Sequence, residues 1–307
     1  MKIIFMGTSE FGIPSLKTLM ENKFDILSVV TVPDKKQGRG QKIIFSPIKK
    51  FAVENSLPIL QVENLKDENF IHQINSLNPD LIIVVAFKIL PKEIFSIPKF
   101  GSINLHASLL PKYRGAAPIN WAIINGENET GVTTFFLKEK VDTGNIILQN
   151  KIPIENEDNF GTLYQKLSVV GANTLLKTID LIAQNKIQLF IQNENLVSSA
   201  PKIFKNNCKI NWNKSAFEIH NFIRGLSPMP SANSFHKKNM LKILQSKIVE
   251  TKTSFSFGTV VENKNKLIVA ANDFAVEILE IQKEGKSKME IKNFLRGYKI
   301  EIGEKFE

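Results

Sequence analysis

Two polar side chains within one apolar stretch, Asn104 and His106, are the residues of this sequence best suited to catalysis. The stretch Ser102–His106 indicates a β-strand. Side chains of a strand alternate between its faces, so Asn104 and His106 share one face about 7 Å apart, while Ile103 and Leu105 point into a core. An amide beside an imidazole can stabilise an oxyanion and transfer a proton. The pattern therefore favours acyl-transfer chemistry.

A third candidate, Asp142, lies in the turn Val141–Asn145 after another apolar stretch. An aspartate in such a turn usually caps it, but a carboxylate can also hold an imidazole in one tautomer and raise its basicity. No Gly-x-Ser-x-Gly elbow surrounds Ser108, so the sequence offers no serine nucleophile. We expect direct attack of a substrate amine on an acyl carbon. Asn104 and His106 would stabilise the oxyanion, and Asp142 would tune proton transfer.

Other motifs carry weaker signals. Gly7 and Gly12 lack the lysine ending of a P-loop and the middle glycine of a dinucleotide fingerprint, so a nucleotide cradle and a tight strand-to-helix turn both remain open. The four histidines are scattered along the chain. The single cysteine, Cys208, excludes an internal disulfide and a Cys-rich metal site. We expect no metal.

Positive charge is unevenly distributed along the chain. Residues 1–200 hold 21 Lys and Arg against 19 Asp and Glu, a net charge of +2, whereas residues 201–307 hold 19 against 11, a net charge of +8. An excess in one-third of the chain suits a phosphate-rich partner, although a lysine-rich composition would also give it. The polar segment Pro33–Lys42 is either a solvated loop or a mobile arm that binds phosphates. It carries four cations: Lys35, Lys36, Arg39 and Lys42.

The elements that would position these residues alternate between strand and helix in the first half of the chain. Repeated β-α units predict an α/β fold with a parallel, doubly wound, Rossmann-like sheet and helices on both faces, and ligands bind at the carboxyl ends of such strands. The expected strands are Lys2–Met6, Ile26–Val32, Leu81–Phe87, Ser102–His106 and Val132–Leu137. The expected helices are Phe11–Met20, one that opens at Pro47 with Ser46 as its N-cap, and Gly161–Asn185.

The rest of the chain indicates a second, smaller domain. A length of 307 residues fits two domains. We expect a catalytic domain at residues 1–186, a polar linker at 187–207 and a basic β-barrel domain at 208–307. No apolar run reaches the roughly 20 residues that span a bilayer, and no signal peptide is evident, so we expect a cytoplasmic protein. The elements expected in the barrel domain are a helix at Ser215–Arg224 and strands at Leu241–Val249, Gly258–Glu262, Leu267–Ala270 and Val276–Gln282.

The run from Asn104 to Ile119, NLHASLLPKYRGAAPI, and the later Asp142–Gly144 carry a family resemblance. With them the chain resembles the methionyl-tRNA formyltransferase family over essentially its whole length. The resemblance implies that the chain transfers the formyl group of 10-formyltetrahydrofolate to the α-amine of initiator methionyl-tRNA. It also implies that Asn104, His106 and Asp142 are catalytic, that the C-terminal domain is an OB-type barrel that binds tRNA, and that the enzyme acts as a monomer without a metal.

The resemblance also extends to the substrate-binding residues. The stretch Val84–Pro91 is similar to the family's pterin-binding loop, but Lys88 stands where a glycine is common. Pro33–Gln41 is similar to the family's tRNA-clasping insertion, with Arg39 as the contact to the acceptor stem. The residues implied to bind folate are Phe87, Ile89, Leu90, Ser108, Leu109, Leu110 and Pro111. The residues implied to bind tRNA are Lys35, Lys36, Arg39 and Lys42.

Two alternative functions remain open at this point. A sugar-nucleotide N-formyltransferase would use the same donor but a nucleotide-linked amino sugar as acceptor. Its turnover would be nearly independent of salt, whereas binding of tRNA weakens steeply as salt rises. A non-catalytic RNA-binding protein would retain the basic barrel alone, and the intact set of Asn104, His106 and Asp142 argues against it.

Overall fold

The computed structural model describes residues 1–37 and 42–307, which form two compact units. The first unit comprises Met1–Gly115, Thr130–Ile152 and Tyr164–Ser199. The second comprises Ala116–Glu129, Pro153–Leu163 and Ala200–Glu307. Among the described residues, no helix is both long and apolar enough to cross a membrane.

Most of the longer strands contain several of the β-branched and aromatic residues that suit a pleated, half-buried surface. They are β1 (Lys2–Gly7), β2 (Asp25–Thr31), β3 (Lys35–Gln37), β4 (Lys42–Ile44), β5 (Ile59–Gln61), β6 (Leu81–Val85), β7 (Ser102–His106), β8 (Arg114–Gly115), β9 (Glu129–Phe136), β10 (Ile146–Pro153), β11 (Ser199–Ala200), β12 (Ala232–His236), β13 (Asn239–Val249), β14 (Val260–Glu262), β15 (Leu267–Ala270), β16 (Ala275–Lys283) and β17 (Met289–Glu290).

Several helices begin at side-chain caps. Ser46 accepts a hydrogen bond from the Lys49 amide, which confirms the N-cap expected from the sequence. Ser215 and Glu218 form a capping box. The helices are α1 (Ile13–Glu21), α2 (Pro47–Glu54), α3 (Glu68–Ser76), α4 (Lys92–Phe95), α5 (Pro118–Ile124), α6 (Phe160–Ala183), α7 (Ala216–Leu226) and α8 (Ile291–Gly297), with 3-10 turns at Glu10–Gly12, Glu194–Leu196 and Lys205–Cys208.

The first unit is built on a seven-stranded sheet in the order β10-β9-β7-β6-β1-β2-β5. Its centre is parallel, since β1 pairs with β2 and β6, β2 with β5, and β6 with β7. On one face Ile4, Met6 and Val84 pack with Phe70 and Ile74 of α3. The predicted doubly wound, Rossmann-like fold is confirmed in this unit.

Two features of the first unit differ from the sequence prediction. β9, expected to extend the parallel sheet, runs antiparallel to β7, which is a common arrangement for outer strands of α/β sheets. The polar segment Pro33–Lys42, predicted as a loop, contains the short strand β3 and the first residue of β4, and these two strands pair antiparallel. β3 is wholly polar and β4 has only three residues, so neither gives a period-two hydrophobic pattern that could have predicted a strand.

The second unit contains a six-stranded antiparallel sheet in the order β12-β13-β16-β15-β14, with β17 paired to β16. The chain's last residues bridge the outer strands. The amides and carbonyls of Phe235 and Glu307 exchange two hydrogen bonds of 2.9 Å, and Val260 donates to the Glu304 carbonyl at 2.8 Å. Residues 303–307 thus pair with both β12 and β14. The small barrel predicted for the C-terminal region is confirmed as an antiparallel, barrel-like sheet.

The barrel-like sheet encloses an apolar core that includes Trp212, Phe306 and the inner face of α7. The indole of Trp212 donates to Ser234 Oγ at 2.9 Å, and Ser234 Oγ donates to the Glu307 carbonyl at 2.8 Å. Gly258 has φ of 78°, and an added Cβ would lie 2.6 Å from the Phe306 carbonyl oxygen. The closing segment therefore fits only against glycine at position 258.

A half-buried histidine on α7 makes the stability of the second unit pH-dependent. His220 Nδ1 lies 3.0 Å from Ser246 Oγ, and burial, followed by the positive charge of Arg224, lowers the pKa of His220 from 6.5 to about 4. Between pH 6.5 and 4 the unfolded chain binds a proton at this histidine that the folded chain does not. The free energy of unfolding should therefore fall by about 3 kcal/mol as the pH drops through this window.

This prediction is checked by urea unfolding of the wild type and His220→Gln at pH 7, 5.5 and 4. The variant should lose less stability than the wild type on acidification. His72→Gln, which replaces an exposed histidine, is the matched control and should keep the wild-type slope. Equal slopes in the wild type and His220→Gln would contradict the prediction.

Candidate active site

Asn104 and His106 lie on β7, within the seven-stranded sheet, as the sequence predicted. Asn104 is flanked by Val84 of β6 and Phe135 of β9, and His106 by Thr133 of β9. His106 is 7% exposed. Because β7 is hydrogen-bonded on both sides, its backbone holds the two polar side chains at a fixed spacing on one face.

The opposite face of β7 packs against a helix. Leu105 contacts Gly171 of α6 so closely that an added Cβ on the glycine would lie 2.8 Å from Leu105 Cδ2. Helices therefore cover both faces of the sheet. Because side chains alternate along β7, Leu105 packs against α6, while Asn104 and His106 lie on the other face.

The imidazole of His106 is oriented by the main chain. Its Nε2 atom lies 2.8 Å from the carbonyl oxygen of Tyr113. A carbonyl only accepts hydrogen bonds, so Nε2 carries a proton in either charge state. Nδ1 is then the ring nitrogen at which a proton can be gained or lost, and it lies 3.8 Å from Asp142 Oδ2. The structure thus brings together the imidazole and the carboxylate that the sequence separates by 36 positions.

The Asp142 carboxylate is held by a backbone amide. The Gly115 N–H donates to Asp142 Oδ2 at 2.9 Å, and the side chain of Asp142 is 9% exposed. Asp142 has φ of 55°, in the left-handed region, which aspartate tolerates better than most residues. At Gly144 an added Cβ would lie 1.6 Å from the Phe136 carbonyl oxygen. The tight turn that presents Asp142 therefore requires glycine two residues later.

The loop after His106 contains the predicted folate residues 108–111 and is shaped by internal hydrogen bonds. Ser108 is fully buried, and its hydroxyl donates to the Lys112 carbonyl at 2.7 Å. The Ser108 carbonyl accepts from Thr133 Oγ1 at 2.6 Å. Leu110 is also buried, whereas Leu109 and Pro111 are half-buried. The Ser108 side chain therefore stabilises the conformation of the loop. The peptide bond between Leu110 and Pro111 is cis.

The other predicted folate residues lie beside an open cleft. Phe87 is half-buried, Ile89 is 69% exposed and Leu90 is 6% exposed. A cleft of about 430 Å³ is lined by Ile89 and Leu90 together with Asn64, Leu65, Lys66, Pro91, Lys92, Glu93, Phe95 and Glu139. The catalytic candidates are not among its lining residues.

Lys88, which departs from the family pattern, makes a defined contact. Its Nζ donates to the Glu63 carbonyl at 2.6 Å. This links the segment after β6 to the segment after β5. The two segments that Lys88 joins continue into Asn64 and Ile89, which line the cleft. A glycine at position 88 has no side chain to make this hydrogen bond.

Three of the predicted tRNA-binding cations lie on β3 and β4. Lys35 is exposed on β3. Lys36 and Lys42 belong to paired strands, and Arg39 lies outside the described residues. At the base of this hairpin Asp34 binds Lys49 at 2.5 Å, and the hydrogen bond from Lys49 holds the pKa of Asp34 below its usual value.

Two polar residues of the site, Arg114 and Gln192, were not predicted from the sequence. Gln192 donates to the carbonyl oxygens of Asp142 and Gly144 at 2.8 and 2.9 Å. Arg114 donates to Gln192 Oε1 from two nitrogens. Arg114 was visible inside the family motif, but Gln192 lies in a polar segment with no periodic pattern that could have marked it. In the part of the chain that the structure describes, no three His, Cys, Asp or Glu residues form a metal-binding group.

Comparison with known proteins gives full-length matches. The Formyl transferase family model matches residues 1–179, and the model of the Formyl transferase C-terminal domain matches residues 202–299. The methionyl-tRNA formyltransferase of Thermodesulfovibrio yellowstonii is 50% identical over 302 residues, covering 98% of this chain and 97% of that protein. That of Flavobacterium johnsoniae is 46% identical, covering 97% and 96%.

Solved structures give a consistent match. The N-formyltransferase from Helicobacter canadensis, in complex with folinic acid and dTDP-3-aminofucose, superposes with a TM-score of 0.70 at 26% identity, covering 92% of this chain and 99% of that chain. Its sequence identity is about half that of the methionyl-tRNA formyltransferases above. The chain belongs to the formyl transferase family, and within it to the methionyl-tRNA formyltransferases.

Proposed function

We propose that this enzyme transfers the formyl group of 10-formyltetrahydrofolate to the α-amine of methionine on initiator methionyl-tRNA, for the initiation of translation. One observation carries the chemistry: Nδ1 of a buried imidazole faces the Asp142 carboxylate at 3.8 Å, on the strand that also presents Asn104. The identity to methionyl-tRNA formyltransferases over nearly the whole chain supports the acceptor.

The proposed catalytic step is attack of the neutral amine on the formyl carbon. The new C–N bond forms as charge moves to the formyl oxygen, and the bond from the formyl carbon to N10 then breaks. The amine loses one proton and N10 gains one. The Asn104 amide donates to the oxyanion, and His106 donates from Nδ1 when its ring is protonated. Asp142 assists proton transfer beside Nδ1, directly or through water.

The proposed folate site combines two loops at the carboxyl ends of β6 and β7. Phe87, Ile89 and Leu90 supply apolar surface, and the cleft beside them opens to solvent. The loop Ser108–Pro111 supplies backbone groups close to His106. Apolar walls with a few placed polar groups are what a pterin and its aromatic linker require. The folate analogue in the Helicobacter canadensis enzyme supports a folate as the formyl donor here.

The proposed tRNA contacts come from two basic segments. In the first, Lys35, Lys36, Arg39 and Lys42 approach the acceptor stem from the hairpin region. In the second, residues 208–307 form the tRNA-binding domain, and residues 187–207 connect it to the catalytic domain, residues 1–186. The net charge of +8 on residues 201–307 supports this assignment because neutralised phosphates release counterions. We also propose that the enzyme acts as a monomer in the cytoplasm without a metal.

One assay tests the proposed function: transfer of a labelled formyl group from 10-formyltetrahydrofolate to methionyl-tRNA, with a nucleotide-linked amino sugar as competing acceptor. The label should appear on methionyl-tRNA. If four cations contact phosphates, the affinity for tRNA should fall on the order of 100-fold between 50 and 200 mM salt. Lys35→Gln should flatten this salt dependence, whereas Lys23→Gln, at an exposed site elsewhere, should not. Label on the amino sugar alone, or tRNA affinity independent of salt, would contradict the proposal.

A further inference from the structure

Gln192 makes four hydrogen bonds within the site while remaining 5% exposed. Its Nε2 donates to the main-chain carbonyls of Asp142 and Gly144, and its Oε1 accepts from Nε and Nη2 of Arg114 at 3.0 and 2.8 Å. An amide has two donor hydrogens and two acceptor lone pairs. The polar group of Gln192 is therefore fully used and has no free position for a substrate.

Arg114 is held in place from its other side. Its guanidinium donates to both carboxylate oxygens of Glu194, at 2.8 and 3.1 Å, and this hydrogen bonding holds the pKa of Glu194 below its usual value. The Arg114 amide donates to the Ser198 carbonyl at 2.9 Å. A planar guanidinium that makes paired contacts on two edges has little freedom to rotate. Hydrogen bonds from Tyr113 and Arg114 thus hold the segment 192–198 in place.

Two hydrogen bonds to Asp142 come from Gln192 and from the residue next to Arg114. Its carbonyl accepts from Gln192, and its carboxylate accepts from the amide of Gly115, the residue that follows Arg114. The turn itself is held in a left-handed conformation at Asp142. Such a conformation costs about 1–3 kcal/mol and persists only where surrounding contacts hold it. Gln192 and Gly115 supply three of the hydrogen bonds that hold this turn.

We propose that Gln192, oriented by Arg114, is a positioning residue that sets the Asp142 carboxylate against His106. This inference rests on the proposed function, which gives Asp142 its part in proton transfer. Gln192 acts through the Asp142–Gly144 turn and does not contact the reacting groups. A displacement of about 1 Å at a catalytic group can reduce turnover by around 100-fold, so the contribution of Gln192 should appear in kcat more than in substrate binding.

The first test replaces Gln192 with methionine, which has a similar shape but no hydrogen-bonding amide. We expect kcat to fall about 10- to 100-fold, with KM for the folate and for methionyl-tRNA changed less than about threefold. The matched control is Gln184→Met, because Gln184 is exposed at the end of α6 in the same unit. It should leave kcat unchanged. Wild-type kcat in Gln192→Met would overturn the inference.

A double-mutant cycle separates positioning from a general structural role. Gln192→Met is combined with Asp142→Ala, and the residual turnover of each variant is measured. If Gln192 acts through Asp142, Gln192→Met should have almost no effect once Asp142 is absent. An equal loss of kcat in both backgrounds would overturn the inference, because the glutamine would then act independently of the carboxylate.

Folding and the parent proposal are tested alongside. Circular dichroism and binding of 5-formyltetrahydrofolate report whether each variant is folded, and Gln192→Glu replaces Gln192→Met in the same cycle if the latter does not fold. The glutamate keeps an oxygen that can accept both hydrogen bonds from Arg114 but removes both donor hydrogens to the turn. Wild-type turnover in Asp142→Ala would sink the proposed role of Asp142 and this inference with it. A large loss in Asp142→Ala with none in either Gln192 variant would overturn the inference alone.

Discussion

Replacement of His106 by alanine should lower kcat by about 10²–10⁴-fold, the usual contribution of a positioned acid-base group. Because Nε2 is committed to the Tyr113 carbonyl, the loss is assigned to Nδ1, the atom beside Asp142. KM for the folate should change less than about threefold, since the imidazole contributes mainly at the transition state. Steady-state formylation of methionyl-tRNA at saturating donor measures both parameters.

The alanine variant has a second defect that must be separated from the first. It leaves the buried Tyr113 carbonyl without the His106 donor, which costs about 1–3 kcal/mol of stability. His106→Gln can still donate from its amide near the position of Nε2 but cannot exchange a proton. It should therefore lose turnover as His106→Ala does while losing less stability.

Control variants complete the test of His106. His72→Gln changes an exposed histidine in the same unit and should keep wild-type kcat. If His106→Gln turns over like the wild type, the ring serves only to hold the Tyr113 loop. If both His106 variants lose less than tenfold, the proposed catalytic role is wrong.

The part of the site that lies on one strand could be predicted from the sequence. Alternation in Ser102–His106 places Asn104 and His106 on one face and Leu105 on the other, and the strand has the predicted bounds. The prediction is possible because the geometry of a strand is local: the side chain of each residue points to the opposite face from that of its neighbour. The same reasoning predicted the parallel centre of the sheet from runs of β-branched residues.

The contacts between distant segments could not be predicted in the same way. The 3.8 Å approach of Asp142 to His106 depends on a left-handed turn and on a strand that runs antiparallel to its neighbour. Gln192 reaches the site from a segment whose polar composition indicated only a linker. Hydrogen bonds of single side chains across tens of residues leave no periodic signal, so only the family motif pointed to Arg114.

The closing segment of the barrel is a further case of long-range pairing. Residues 303–307 are too short and too charged to indicate a strand, yet they hydrogen-bond to both outer strands of the second unit. Phe306 anchors the segment. It is 3% exposed, stacks on His236 with ring centroids 5.4 Å apart, and meets Trp212 edge-on at 6.0 Å. Its apolar contacts thus join the segment to the core of the sheet.

Replacement of Phe306 by alanine should lower the free energy of unfolding of the second unit by about 3–5 kcal/mol, the cost of emptying a buried phenylalanine site. The loss of protection should be greatest at the two outer strands, because residues 303–307 hydrogen-bond to β12 and β14. Hydrogen exchange measured by mass spectrometry should accelerate at residues 232–236 and 258–262 and stay unchanged at residues 81–106. Phe255→Ala, at a 41% exposed phenylalanine of the same unit, should cost less than about 1 kcal/mol. Unchanged protection of residues 258–262 in Phe306→Ala would mean that the sheet holds its outer strands without the terminal segment. Phe306 would then contribute to core packing but not to the closure of the sheet.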